Sequence, residues 1–376
     1  MKIRKIITII LFVLAAISMI AAKNSEFIAE YIFARGIFKV FSVPIGFVTG
    51  LFPFSLAELL ITGFIVFAIY AVVRLIIMTV RTIKAIRRRE YRFSASKLRK
   101  FTWNVAFVLS IGVFSFCILC GTNYYRYDFE KYCDFTIGEY TTDDLYDLCI
   151  YLAEKTTNSR KEVTEKDKNG IMVLSESFYK TSGRASKAMR SLSKDYPSVA
   201  YVSGRVKPVM GSKFMSYTEI VGVYCPFTLE ANVNDHVPDY SIPATMCHEL
   251  AHLSGYMKED EANYIAYLAC INSEDAEFVY SGYALAYIYA SNELYDIDKD
   301  KYDEVSKLLS EDVIKDMNDE YEYWKQYRET KAGQVISEVS NSINNGYLVM
   351  NGQEDGVKSY GKMVTLLIAD FLRNRK

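Results

Sequence analysis

Three long apolar runs before residue 122 constrain this chain more than any other feature. About 20 apolar residues in a helix are enough to cross a hydrocarbon core of about 30 Å. The first run, residues 6–22, follows Lys2, Arg4 and Lys5. It is short for a span and ends in no small-x-small cleavage site, so an uncleaved anchor is expected rather than a signal peptide. The second covers residues 54–80, with Glu58 near one end and Arg74 near the other, and the third covers residues 103–121. Between the first two, residues 28–48 are rich in aromatics, with only Glu30, Arg35 and Lys39 charged. They are expected to form either an amphipathic helix at the membrane interface or a short re-entrant segment.

Positive charge orients these runs. Residues 81–100 carry nine Lys or Arg against one acid, Glu90. With the basic N-terminus, this loop is expected to face the cytoplasm. Three crossings then put everything after Gly121 outside, in a bacterial-type membrane. The chain is 51% hydrophobic with a formal net charge of -1, so its charge does not point to nucleic acid. At 376 residues it has room for two parts: a membrane region, 1–121, and an extracytoplasmic domain, 122–376.

Seven cysteines are scattered, at 117, 120, 133, 149, 225, 247 and 270. An odd, dispersed set excludes a dense disulfide framework, and no second CxxC pair completes a cysteine metal site. A Cys133–Cys149 bridge is compatible with a location outside the cytoplasm.

Beyond residue 122 no further span occurs. Apolar spacing predicts helices over residues 143–157 and 175–194, the latter stopped by Pro197. Residues 217–224 and 228–233 read as strands. Helices are then expected over residues 243–254, 259–271, 276–294, 301–309, 312–327 and 357–373. The second part is therefore mainly α with a small sheet, an α+β domain.

Within it stands His248-Glu249-Leu250-Ala251-His252. Only three histidines occur in the chain, and two of them fall in this pattern. On a helix, residues four apart share a face, so both imidazoles can reach one metal ion. Glu249 points at a neighbouring angle and suits a general base acting on water. Gly255 can end that helix, and a second helix beginning at Glu259-Asp260-Glu261-Ala262-Asn263 can supply a third ligand.

The register of that second helix resembles the gluzincin branch of HExxH metallopeptidases, which follow a ligand Glu with a small residue three positions on and an Asp four positions on. Glu259, Ala262 and Asn263 fit, with Asn in place of Asp; Glu261 fits poorly. The resemblance implies a zincin-like fold, one Zn2+ held by His248, His252 and Glu259, and an Asn263 that hydrogen-bonds a ligand imidazole. Together with residues 226–232 and the tail 356–361, these motifs also resemble an uncharacterised bacterial family of membrane-anchored HExxH proteins, over most of the chain.

Residues 218–224 are a candidate edge strand for pairing an extended peptide, or an ordinary core strand. His236, Tyr283 and Tyr287 are candidate stabilisers of a developing oxyanion, and none stands out. The reading that follows is a membrane-anchored zinc metalloendopeptidase acting on peptide or protein substrates, with membrane lipid as its other partner. The alternative is a non-catalytic metal-binding sensor or assembly factor of the cell envelope.

Overall fold

The structure, a computed structural model, describes residues 2–87, 91–200, 204–350 and 361–375. Residues 88–90 at the centre of the basic segment, most of the tail at 356–361 and the start of the helix expected at 357–373 lie outside the described residues; the rest of the basic segment, 81–87 and 91–100, is helical rather than the expected loop. The chain divides into two compact units. One comprises residues 1–41, 56–126 and 226–228; the other comprises 42–55, 127–225 and 229–376. The division departs from the expected boundary after residue 121 chiefly in giving residues 42–55 to the second unit.

Four helical stretches of the described chain are long and apolar enough to cross a membrane: Lys2–Asn24, Ile28–Gly50, Leu56–Ala85 and Ser96–Tyr125. They include the three expected runs and the segment expected to lie at the interface. In the first unit α1 (Lys2–Asn24) and α3 (Leu56–Arg87) both pack against α4 (Tyr91–Leu119). Between α1 and α3 lie a π-pitched stretch, Ile28–Ile37, and α2 (Phe38–Gly50). Helices α1 and α4 run antiparallel. At one end Arg4 donates to Asn104 at 2.8 Å and Lys5 sits 4.9 Å over the Trp103 ring. At the other, Met19 packs against Gly121. Only residues 88–90 separate α3 from α4, so these two are antiparallel as well.

An ion pair fixes the start of the segment 28–50. Arg126, just beyond α4, donates twice to Glu30, each bond 2.9 Å, and so places the start of the segment at the α4 exit. Its far end, Gly50, lies six residues before Leu56, where α3 begins. By length and composition alone the segment could cross a membrane.

The second unit is mainly helical around a small sheet. In chain order it holds α5 (Thr142–Glu162), α6 (Phe178–Asp195), β1 (Val206–Pro208), α7 (Ser212–Ser216), β2 (Gly222–Cys225) and β3 (Glu230–Val233). Then follow α8 (Ile242–Leu253), α9 (Glu259–Ile271), α10 (Ala276–Ile297), α11 (Lys299–Ser306), α12 (Glu311–Arg328), α13 (Lys331–Met350) and α14 (Gly361–Asn374). Local chemistry explains several boundaries. Thr141 and Asp144 close a reciprocal capping box at the start of α5. Asp275 and Ser310 cap α10 and α12.

Strand order is β1-β3-β2, with β1 parallel and β2 antiparallel to β3. Val223 pairs with Asn232, and β2 forms an edge. Its strand is shorter than the expected 217–224. The amides of Tyr217, Thr218 and Glu219 donate to Phe214, Met215 and Ser216 carbonyls and continue the turn of α7, and Glu219 has φ +58. Tyr217 is aromatic and Thr218 β-branched, but their backbone bonds are already used in a helical turn.

Behind the sheet, α8 is buried against β2, β3, α9 and α10. The core is closed by a charged knot. Fully buried Asp316 on α12 accepts from Arg160 of α5 at 2.5 Å, from Tyr280 of α10 at 2.8 Å and from the Met172 amide at 2.7 Å. Each carboxylate oxygen is thus satisfied, which a buried ion requires. All seven cysteines are free thiols, Cys133 and Cys149 included, and six of the seven are buried.

Candidate metal centre

Helix α8 carries His248, Glu249 and His252. Pro243 sits in its first turn, where the missing amide costs nothing. Its end is a Schellman turn. Gly255, at φ +103, donates to His252 O at 2.9 Å, and the Tyr256 amide donates to Ala251 O at 3.2 Å. Such a φ strongly favours glycine. The turn leads straight into α9, so Glu259 returns beneath the histidines after only three residues, Tyr256 to Lys258.

The three expected ligands come together. His248 Nε2 lies 3.2 Å from Glu259 Oε2, and His252 Nε2 lies 3.7 Å from Glu259 Oε1. One donor atom from each of His248, His252 and Glu259 lies within 4.8 Å of the other two. The two imidazole rings stand nearly perpendicular, centroids 4.6 Å apart. This is a compact nitrogen–nitrogen–oxygen donor set of the kind zinc takes.

Orientation of His252 comes from the backbone. Its Nδ1 is 2.7 Å from Tyr256 O, the carbonyl that the Schellman turn presents. In the neutral tautomer Nδ1–H donates there and Nε2 keeps its lone pair for a ligand, the outer-shell arrangement usual at metal sites. Phe129 packs edge-on against Tyr256, centroids 5.4 Å apart, and backs this turn. Asn263, expected to orient a histidine, instead donates to the Tyr289 hydroxyl at 3.1 Å. It lies one turn along α9 from Glu259 as the register required, but the backbone carbonyl is already at the imidazole.

The competing acid is also placed. Glu261 accepts the Phe129 amide at 2.7 Å and is buried away from the histidines. Burial lifts its carboxyl to about 8, against the pull of Lys258. Asp260 is likewise buried and raised, by the same cause.

Glu249 is 3% exposed, and burial raises its carboxyl to about 7 while the two histidines pull it down. Gly222 of β2 lies directly against it; a Cβ at that position would sit 2.3 Å from Glu249 Oε1. Two residues on, the Tyr224 ring stands 6.2 Å from His252. Strand β2 therefore runs over α8 and forms a wall of the site. The sequence carried one sign of this, a glycine inside a β-branched run, which marks close backbone approach.

Charge within the site is strongly coupled. Burial would lower the His252 pKa, but the adjoining Glu259 carboxylate outweighs it and lifts it to about 9. The same pair holds Glu259 far below the carboxylate range despite burial. Glu249 Oε2 and His248 Nδ1 are buried without a hydrogen-bond partner. Buried polar atoms left unpaired are rare and mark places where a ligand or substrate completes the set.

The other weighed residues lie elsewhere. His236 lines a cavity of about 250 Å3 with Phe54, Tyr179 and Met210. Tyr283 packs on Tyr267, and Tyr287 is buried in α10.

No curated protein and no solved structure matches the chain. A family described as "Protein of unknown function (DUF3810)" matches residues 33–368, which takes in three of the four apolar helical stretches, the sheet, the paired histidines and Glu259. The chain belongs to that family.

Proposed function

We propose that this chain is a membrane-anchored, zinc-dependent metallopeptidase of gluzincin type, with a zincin-like fold, acting outside the cytoplasm. The observation that carries the reading is the convergence of His248 Nε2, His252 Nε2 and the Glu259 carboxylate, beside the buried carboxylate of Glu249.

His248, His252 and Glu259 would hold the ion, and zinc bound there would supply a Lewis acid for the carbonyl and for water near neutral pH. Glu249 takes the proton from the attacking water and passes it to the leaving amine. A carboxyl lifted to about 7 is close to the operating pH, where one group both accepts and returns a proton well. The β2 edge orients an extended peptide by backbone pairing, as strand addition does elsewhere. The missing side chain of Gly222 makes the room that the Glu249 carboxylate occupies beside that strand.

Placement outside the cytoplasm rests on charge and topology together. The N-terminal Lys2, Arg4 and Lys5 and the start of α4 share one end of the bundle, next to the basic loop. By the positive-inside rule that end faces the cytoplasm. With α1, α3 and α4 crossing and residues 28–50 returning to their own side, the chain after Arg126 emerges opposite. A residue-28–50 crossing would instead separate the two basic segments.

The test uses the full chain in lipid nanodiscs: bound zinc is measured, and cleavage of a peptide mixture is followed for wild type and Glu249→Gln. Zinc retained in both with cleavage only in wild type is the expected result. Equal cleavage by both would remove Glu249 from the chemistry, and no cleavage by zinc-loaded wild type would favour a binding-only role.

A further inference from the structure

We propose that the second unit carries its own lipid-binding face, in which Met210 and Phe214 enter the membrane interface and Lys213 meets headgroup phosphates. This contact is additional to the apolar helices and involves residues between β1 and β2, far in sequence from any of them.

The polarity of α7 is inverted for a helix facing water. Phe214 is 68% exposed and Met210 64%, while Ser212 and Ser216 are buried to 1% and 0%. The buried serines are not misplaced. Ser212 Oγ donates to Val209 O at 2.6 Å, and Ser216 Oγ accepts from Asn234 at 2.9 Å. The helix is therefore held in this rotation by inward hydrogen bonds. It presents Phe214 and Lys213 outward, and Met210, two residues before the helix, is exposed as well, an apolar and basic set that suits a membrane interface.

Continuity with an apolar stretch identifies the occupant as lipid. Met210 and Phe54 line the same cavity, together with Tyr179. The Tyr179 hydroxyl donates to Pro53 O at 3.0 Å. Buried Lys207, at β1, donates to Thr49 O at 2.8 Å and Phe54 O at 3.1 Å, besides its ion pair with Glu230. These bonds fix residues 49–54 beside the start of α7. Within that stretch Leu51 and Phe52 are themselves exposed. Two residues after Phe54, at most about 7 Å of chain, begins Leu56–Ala85, with a mean hydropathy of 2.5. Residues 51–54 run on along the chain into that apolar stretch, and Met210 is fixed beside them within the second unit, which makes lipid the occupant of the exposed patch. A lysine at its rim lets the ammonium reach phosphates while its stem stays with the apolar face.

One consequence rests on the metallopeptidase reading. Asn234, which bonds Ser216, also donates its amide to Val221 O at 2.9 Å, next to Gly222. The lipid face and the β2 wall of the site are thus one connected piece, and the substrates are peptide segments presented at the membrane surface.

The test needs no activity. Full-length Phe214→Cys and Met210→Cys are labelled with an environment-sensitive fluorophore in nanodiscs of phosphatidylcholine and phosphatidylglycerol. Asp300→Cys, exposed among Asp296, Asp298 and Asp303, is the control. Wild type corrects for labelling of Cys133. Lipids spin-labelled near the headgroup are expected to quench positions 210 and 214 several-fold more than position 300, with aqueous iodide giving the reverse order. Iodide quenching at 214 equal to that at 300 would overturn the proposal. Protection from both quenchers would also overturn it, because a protein partner or second copy would then cover the face.

Discussion

Glu259 and Glu261 sit two positions apart on α9 and do different work: one faces both histidines and the other accepts the Phe129 amide. Glu259→Gln is expected to weaken zinc binding by more than the roughly 10–100-fold that an outer-shell change costs. Glu261→Gln should leave zinc bound. Its folded-state pKa of about 8 lies above the ordinary value of 4.5, so the stability it contributes is full below 4.5 and is lost as pH rises through 8. The glutamine variant is therefore expected to gain in melting temperature relative to wild type across that window. Loss of zinc from Glu261→Gln, or its retention in Glu259→Gln, would reverse the assignment. At Gly222, alanine would force Glu249 to move, since the added Cβ meets its carboxylate. Gly222→Ala should retain zinc and lose about 100-fold in peptide cleavage, the size expected when a catalytic group is displaced by an ångström or so. Unchanged cleavage would show that the site tolerates a displaced Glu249.

Within α8 and α9 the sequence was readable because the constraint is local. The four-residue histidine spacing follows from helix geometry, and Glu259 as the third ligand followed from the resemblance of α9 to the gluzincin register. The orienting partner of His252 was not readable, because it is a backbone carbonyl in the turn after α8. No side chain announces that bond. Gly255 was legible as a stop, and its φ of +103 shows why. Gly255→Ala should cost about 1–3 kcal/mol of stability and, by moving Tyr256 O, weaken zinc binding about 10–100-fold. Melting curves and zinc titration check the two effects separately. Other elements escaped notice for identifiable reasons. Strand β1 has only three residues, Val206–Pro208, and no alternation to detect. Helix α13 is capped by Thr330, whose hydroxyl accepts the Gly333 amide at 2.9 Å, but it has no buried apolar stripe, with Gly333, Gly346 and several Asn and Ser in it. Residues 217–219 have strand-like side chains in a helical turn, a case of local bonding overriding propensity.

At the scale of the molecule, the three apolar runs and the basic segments were evident from composition, whereas the Glu30–Arg126 pair that ties the start of residues 28–50 to the exit of α4 was not. Zinc binding should itself depend on pH in a direction set by His252. With its pKa at about 9 in the metal-free protein, the ion must displace a proton at any lower pH. Apparent zinc affinity is expected to rise about tenfold per pH unit, for one displaced proton, and to level off near 9. A competition titration against a chelator of known pH dependence measures this, and an affinity independent of pH would contradict the His252–Glu259 coupling. The coordination shell itself offers the most direct test of the central claim. X-ray absorption at the zinc edge of the full-length protein should show two imidazole nitrogens at about 2.0–2.1 Å and carboxylate oxygen at about 2.0–2.2 Å, with no sulfur near 2.3 Å. A sulfur ligand, or a shell without imidazole, would contradict a centre built from His248, His252 and Glu259.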